Sequence, residues 1–116
     1  MTNYRLQGKK AEDVACNFLL QNGLSLIEKN YQCRYGEIDI IMQDCDTLVF
    51  IEVRYRSTMN YGGAEASVDN NKRQKLVFTA NHYIQRNHIS QPMRFDVVAI
   101  YPNQPPNWIT NAFMEN

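Results

Sequence analysis

The chain has no excess of charge of either sign: Lys plus Arg and Asp plus Glu each number 12 in 116 residues. A neutral protein has no global pull toward nucleic acid, so any such binding must come from a local basic patch. Cysteine is scarce. Cys16, Cys33 and Cys45 form no C-x-x-C pair and have no histidine nearby. That excludes the usual zinc spacings and a disulfide framework, and it predicts free thiols in a reducing compartment. No apolar run approaches membrane-spanning length. The first ten residues contain no apolar core of a secretory signal. A cytoplasmic location without membrane contact is therefore expected. There is no glycine-rich nucleotide loop and no nucleophile–histidine–acid set. His82 and His88 fall on one expected helix but lack the i, i+4 spacing of a metal-binding pair. They read as surface or half-buried residues.

What is present is enough apolar material for a core, 44% of residues, in a chain of ordinary single-domain size. Residues 1–116 are read as one domain. Ala11, Val14, Ala15, Phe18 and Leu19 recur at helical spacing and predict a helix over Tyr4–Gln21. Asn22-Gly23 stops it. Glu12 falls about 100° from Ala11, at the rim of the apolar stripe. Leu24–Asn30 reads as a short strand and Tyr31–Tyr35 as a polar, aromatic connection. Ser57–Asn71, rich in Gly, Asn and Ser, reads as a loop. A second helix is expected from about Asp69 to Arg86, capped by Asp69 or Ser67. Leu76, Val77, Ala80, Tyr83 and Ile84 form its buried face. Lys72, Arg73 and Lys75 sit in its first turns, where the helix dipole disfavours cations. Such placement suits an anionic partner, and solvated lysines are the plain alternative. Met93–Tyr101 is a strong strand, and Trp108–Phe113 a short final strand or extended tail. Few helices and several strands point to an α/β sandwich, with a mixed central sheet flanked by helices.

The most informative stretch is Gly36–Arg56, two β-branched runs joined by a tight turn. Glu37, Asp39 and Glu52 lie within strands that should otherwise bury their surface, and buried carboxylates are costly unless paired or bound to a cation. A hairpin symmetric about Cys45-Asp46 sets Asp44 opposite Thr47. The same register sets Asp39 opposite Glu52 and Glu37 opposite Arg54, with Cβ atoms about 5 Å apart. Two carboxylates so close cannot both ionise unless a cation intervenes. A Mg²⁺-type ion resolves the conflict, and so does a patch of Arg–acid pairs. Arg94 and Asp96, two apart on one strand face, read as a structural ion pair.

Gly36-Glu-Ile-Asp-Ile-Ile41 followed by Val49-Phe-Ile-Glu-Val-Arg-Tyr-Arg56 resembles the UPF0102 family, also called the YraN family. The likeness extends to Gly8…Ala11-Glu12, Asn30-Tyr31, Lys72, Arg94-Phe-Asp-Val-Val98 and Ile109…Asn111-Ala-Phe113. That family in turn resembles the restriction-endonuclease-like PD-(D/E)xK superfamily, Holliday-junction resolvases in particular. The resemblance implies a restriction-endonuclease-like sandwich and an endonuclease acting on DNA, with branched or recombination intermediates as candidate substrates. It implies Mg²⁺ or Mn²⁺ held by Asp39 and Glu52, with Glu12 as a helical third acid. Arg54 would complete the catalytic set at the scissile phosphate. It departs from the pattern, which has Lys there, and Arg keeps its proton, so it is suited to orient water or stabilise charge and not to act as a base. Arg34, Arg56, Lys72, Arg73 and Lys75 are the expected phosphate-backbone contacts, and a homodimer is the expected assembly. Two other readings stand beside this one. One is a non-catalytic nucleic-acid-binding module of the same fold. The other is a protein adaptor anchored by Trp108, Phe113 and Tyr61.

Overall fold

A computed structural model describes residues 4–56 and 68–113. In chain order these form α1 (Tyr4–Gln21), β1 (Ser25–Cys33), β2 (Gly36–Asp44), β3 (Thr47–Tyr55), α2 (Asn70–Arg86), β4 (Met93–Ile100) and β5 (Asn107–Phe113). The five strands make one sheet in the order β1-β2-β3-β4-β5. Only β3 and β4 are parallel neighbours. Parallel strands need a long crossover, and α2 lies within that connection. One core lies between the sheet and α2, built on Ile41, Phe50, Leu76, Ala80, Tyr83 and Phe95. A second lies between the opposite face and α1, built on Ala11, Ala15, Leu19, Met42, Val49 and Ile51. The architecture is the expected α/β sandwich of the restriction-endonuclease-like kind, one helix to each face.

The helices start and stop for local reasons. α1 ends where Leu24 N–H reaches back to the Leu19 carbonyl at 3.1 Å, with Gly23 at φ +96°. This is the left-handed termination that glycine permits at little cost. Its buried line is Ala11, Ala15, Cys16 and Leu19. Val14, expected in the stripe, is 46% exposed. Small Ala11 and Ala15 point straight at the sheet, which turns Val14 outward. α2 is capped by Asp69, whose carboxylate accepts from Lys72 N–H at 2.9 Å. The alternative cap Ser67, the anchor Tyr61 and the first eleven residues of the expected Ser57–Asn71 loop lie outside the described residues. Asn70 and Asn71 belong to α2.

Four expectations are corrected. β1 continues to Cys33, so only Arg34 and Tyr35 connect it to β2. As a sheet-edge strand it needs few apolar residues, and its polar end read as a connection. His88 lies two residues beyond α2, at φ +54°. Phe113 is no exposed anchor: it is buried and stacks on Phe95 with centroids 4.8 Å apart. Trp108 is half-buried, edge-on to Phe18, because β5 pairs with β4 instead of trailing as a tail. The adaptor reading loses both of these anchors. The three cysteines are free, and no helix among the described residues is long and apolar enough to cross a membrane.

Candidate active site

The hairpin has the register expected of it. Asp44 faces Thr47, and the ladder runs without a slip to Ile40 opposite Ile51. Asp39 and Glu52 are the next pair in that register, and there β2 and β3 part. β2 stays paired with β1 down to Gly36, while β3 stays paired with β4 up to Tyr55. In a continued ladder the Val53 N–H would bond the Ile38 carbonyl. Instead it donates to Asp39 Oδ2 at 2.8 Å. The carboxylate thus occupies the place of the next rung and ends the pairing. Glu37 and Arg54, expected opposite one another, fall beyond the last rung. Glu37 is exposed and accepts from Gln32 Nε2 at 3.0 Å across β1–β2.

The local backbone explains why Asp39 can turn this way. Strict alternation would place Ile38 and Ile40 on one face. Ile38 packs in the α2-side core and Ile40 in the α1-side core. The facing residue of β1 is Asn30, flanked by the pairs Lys29–Ile40 and Tyr31–Ile38. It adopts φ +56°, a left-handed conformation that asparagine tolerates better than most residues. The reversal occurs at Asp39 itself, so its side chain lies between the faces and can reach across the fork. Strict alternation, which would set Asp39 on one face with Glu37 and Ile41, therefore fails locally.

The fork opens into a cavity of about 390 Å³ lined by Gly36, Glu37, Asp39, Glu52, Lys72 and Lys75, among others. Gly36 sits at φ +151°, where a side chain would be strained, and a Cβ there would stand 3.4 Å from Thr79 Oγ1. Glu52 is buried and pairs with Lys72, whose Nζ stands 3.4 Å from Oε1. Asp39 and Glu52 lie within hydrogen-bonding reach of each other. Burial, and then the Asp39 charge, push Glu52 up to about 8, against the pull of Lys72 and Arg54. Burial raises Asp39 as well, but the Val53 N–H and the Glu52 hydrogen bond favour its anion. Glu12 on α1 is also raised, first by burial and then by Asp39, while Lys29 and a hydrogen bond from Asn30 lower it.

The structure therefore brings Asp39, Glu52, Lys72 and Lys75 together, with the charges of Glu12 and Arg54 felt at the pair. It does not gather Arg34, Arg56 or Arg73 at the cavity. Arg34 donates to the Tyr35 hydroxyl. Arg56 continues the β3–β4 pairing through its N–H to the Ile100 carbonyl. Arg73 is bound to the Val68 carbonyl at 2.8 Å and lies over the Phe113 ring. Among the described residues no three His, Cys, Asp or Glu side chains close into a metal cluster, so Glu12 is not assembled with the other two acids. Two neighbouring carboxylates at an open cavity are nonetheless a fitting donor set for Mg²⁺ or Mn²⁺, since such ions typically take one or two carboxylates and keep water elsewhere. What sequence reasoning missed is the direct reach of Lys72 to Glu52. The hairpin gives no sign of it, because Lys72 arrives from the helix within the crossover. Its only trace in the sequence is a cation placed against the helix dipole.

Residues 11–100 match the profile of a family described as "Uncharacterised protein family UPF0102". A UPF0102 protein of Nitrosomonas eutropha is 49% identical over 99% of both chains. One of Nitrosomonas europaea is 48% identical over 95% of both, and one of Pseudomonas fluorescens 49% identical over 91% of both. The chain belongs to the UPF0102 family.

Proposed function

We propose that this UPF0102 chain is a divalent-cation-dependent endonuclease that hydrolyses phosphodiester bonds in DNA. The observation that carries the reading is the Asp39–Glu52 pair: two neighbouring carboxylates at the open end of a hairpin, facing a cavity lined by lysines. Asp39 and Glu52 would hold Mg²⁺ or Mn²⁺, with Glu12 adding negative charge from α1. The ion supplies Lewis-acid charge and acidifies water for attack on phosphorus. Lys72 and Lys75 meet the phosphate that enters the cavity. Arg54 balances charge gathering on that phosphate and cannot serve as the base, because its guanidinium does not deprotonate. Arg34, Arg56 and Arg73 serve at most as outlying backbone contacts in this reading. Branched or recombination intermediates are the substrates that the resolvase-like resemblance suggests, and a two-fold homodimer is the matching assembly.

Arg54 at the third motif position favours one second reading, a nucleic-acid-binding module that keeps the fold and does not cut. The test separates the two. Mn²⁺ is titrated calorimetrically into wild type and into Asp39→Ala/Glu52→Ala, and both are assayed on branched and linear DNA. The nuclease reading expects Mn²⁺ binding and cleavage by wild type alone. Salt-dependent DNA binding in EDTA, with neither Mn²⁺ binding nor cleavage, establishes the module instead.

A further inference from the structure

One turn of helix beyond the cavity lies a pair of rings that the fold does not use. Phe78 is 54% exposed, the most exposed large apolar side chain among the described residues, and Tyr35 is 39% exposed. Their centroids are 5.7 Å apart, and the rings are tilted by 34°. They come from different elements, Tyr35 from the β1–β2 connection and Phe78 from the outer face of α2. His82 completes the cluster edge-on to Tyr35 at 6.3 Å, and its Nδ1 is held by the Tyr31 hydroxyl at 2.5 Å. Cations border the rings. The Arg34 guanidinium carbon is 4.9 Å from the Tyr35 centroid. Lys75 precedes Phe78 by three positions, which places it on the same side of the helix.

The patch is continuous with the cavity at two points. Gly36, next to Tyr35, lines it, and so does Lys75. Two rings framed by Arg and Lys are too small and too polar at the margin for a stable protein interface, which needs about 800 Å² on each side. Flat π-faces beside cations suit a base with its flanking phosphates, because stacking accepts any base and the cations follow the backbone. Glu37, the adjoining acid, is engaged by Gln32.

We propose that Tyr35 and Phe78, bordered by Arg34 and Lys75, form a platform on which an unpaired nucleobase stacks, its neighbouring phosphate directed toward the cavity at the β2–β3 fork. The proposal rests on the nucleic-acid reading above and narrows its substrate to DNA with unstacked bases. Stacking needs no divalent ion, so it is tested in EDTA. The probes are a short single strand carrying one 2-aminopurine and a blunt duplex of the same sequence.

Wild type is expected to quench the 2-aminopurine and to bind the single strand more tightly than the duplex. Phe78→Ala and Tyr35→Ala each weaken single-strand binding roughly tenfold, with unchanged circular dichroism and melting. Phe78→Trp restores it. Absence of quenching overturns the proposal. So does a Phe78→Ala variant that binds like wild type, or one that only dissolves a dimer in sedimentation, which would make the patch a self-contact. Quenching by a protein that cuts nothing with Mn²⁺ upholds the platform and sinks the nuclease. Cutting of blunt duplex without quenching does the reverse.

Discussion

Two places in the sheet bury acids, and they are solved in opposite ways. Asp96 on β4 is fully buried and has donors on every side. Arg94 Nε reaches both of its oxygens, at 3.0 and 3.2 Å, Trp108 Nε1 reaches Oδ2 at 2.9 Å, and Asn111 N–H reaches Oδ1 at 2.8 Å. These bonds tie β5 to β4 across the irregularity between Phe95 and Val97. Arg94 also meets Asp44 at 3.0 Å. At the β2–β3 fork, by contrast, two carboxylates stand side by side, with the Val53 N–H at 2.8 Å from Asp39, the Lys72 ammonium at 3.4 Å from Glu52 and the Arg54 charge acting on Glu52. Burial of an acid is therefore not the sign of a site. A pair of acids left beside an open cavity is the better candidate. Asp96 is a structural fastening, whereas the Asp39–Glu52 pair borders a cavity lined by Lys72 and Lys75.

The largest expected effect comes from breaking the satisfied region. Asp96→Ala strands the Arg94 charge, the Trp108 indole N–H and the Asn111 N–H, and should lose roughly 3–5 kcal/mol, read from urea denaturation. The comparison is inverted if Asp96→Ala costs less than Glu52→Gln. At the fork the sign reverses with pH. The ordinary value of Glu52 is 4.5 and the folded value about 8, so between these the unfolded chain binds fewer protons than the folded one. Stability then falls as pH rises through that window, and Asp39 and Glu12, also raised, act in the same direction. In EDTA the wild-type melting temperature should decline from about pH 5 to about pH 9. Glu52→Gln should flatten that decline and be the more stable protein at the alkaline end by roughly 2–4 kcal/mol. Mn²⁺ should raise the melting of wild type and leave the Gln variant nearly unmoved. A wild-type profile that is flat with pH would show that the pair is not in conflict.

Much of this contrast can be seen in the residues before any coordinates. The β2–β3 register follows from a two-residue turn and β-branched runs on both sides, so Asp39 and Glu52 are paired by counting. The Arg94-x-Asp96 pair follows from strand alternation. Other parts are hidden for physical reasons. The reversal of faces at Asp39 goes with a left-handed Asn30 opposite it on the neighbouring strand, and local pattern carries no trace of a neighbour's φ. The polar end of β1 hides because a sheet-edge strand needs little apolar content. Burial of Phe113 hides because it requires β5 to add to the far edge, a long-range pairing. The platform residues Tyr35 and Phe78 hide because they come from separate segments, a polar connection and the second helix, and only the fold sets their rings together.

The smallest expected effect is the one that bears most closely on the contrast. Arg94 is locked to Asp96 by geometry, whereas the Lys72 side chain is 41% exposed against 8% for Glu52. A half-exposed ammonium contributes little to folding, so Lys72→Met should change stability by no more than about 1 kcal/mol. It also removes the positive charge that any divalent ion must approach. If Lys72 fills the need for a cation only in the ion's absence, the Met variant should bind Mn²⁺ more tightly than wild type at neutral pH. Its DNA affinity should fall, and the slope of log affinity against log salt should drop by about one. If Lys72 instead holds Glu52 in place, Mn²⁺ binding weakens together with DNA binding. The fork would then be a fastening like that of Arg94 and Asp96, and the distinction between the two buried acid sites would fail where it is most exposed to test.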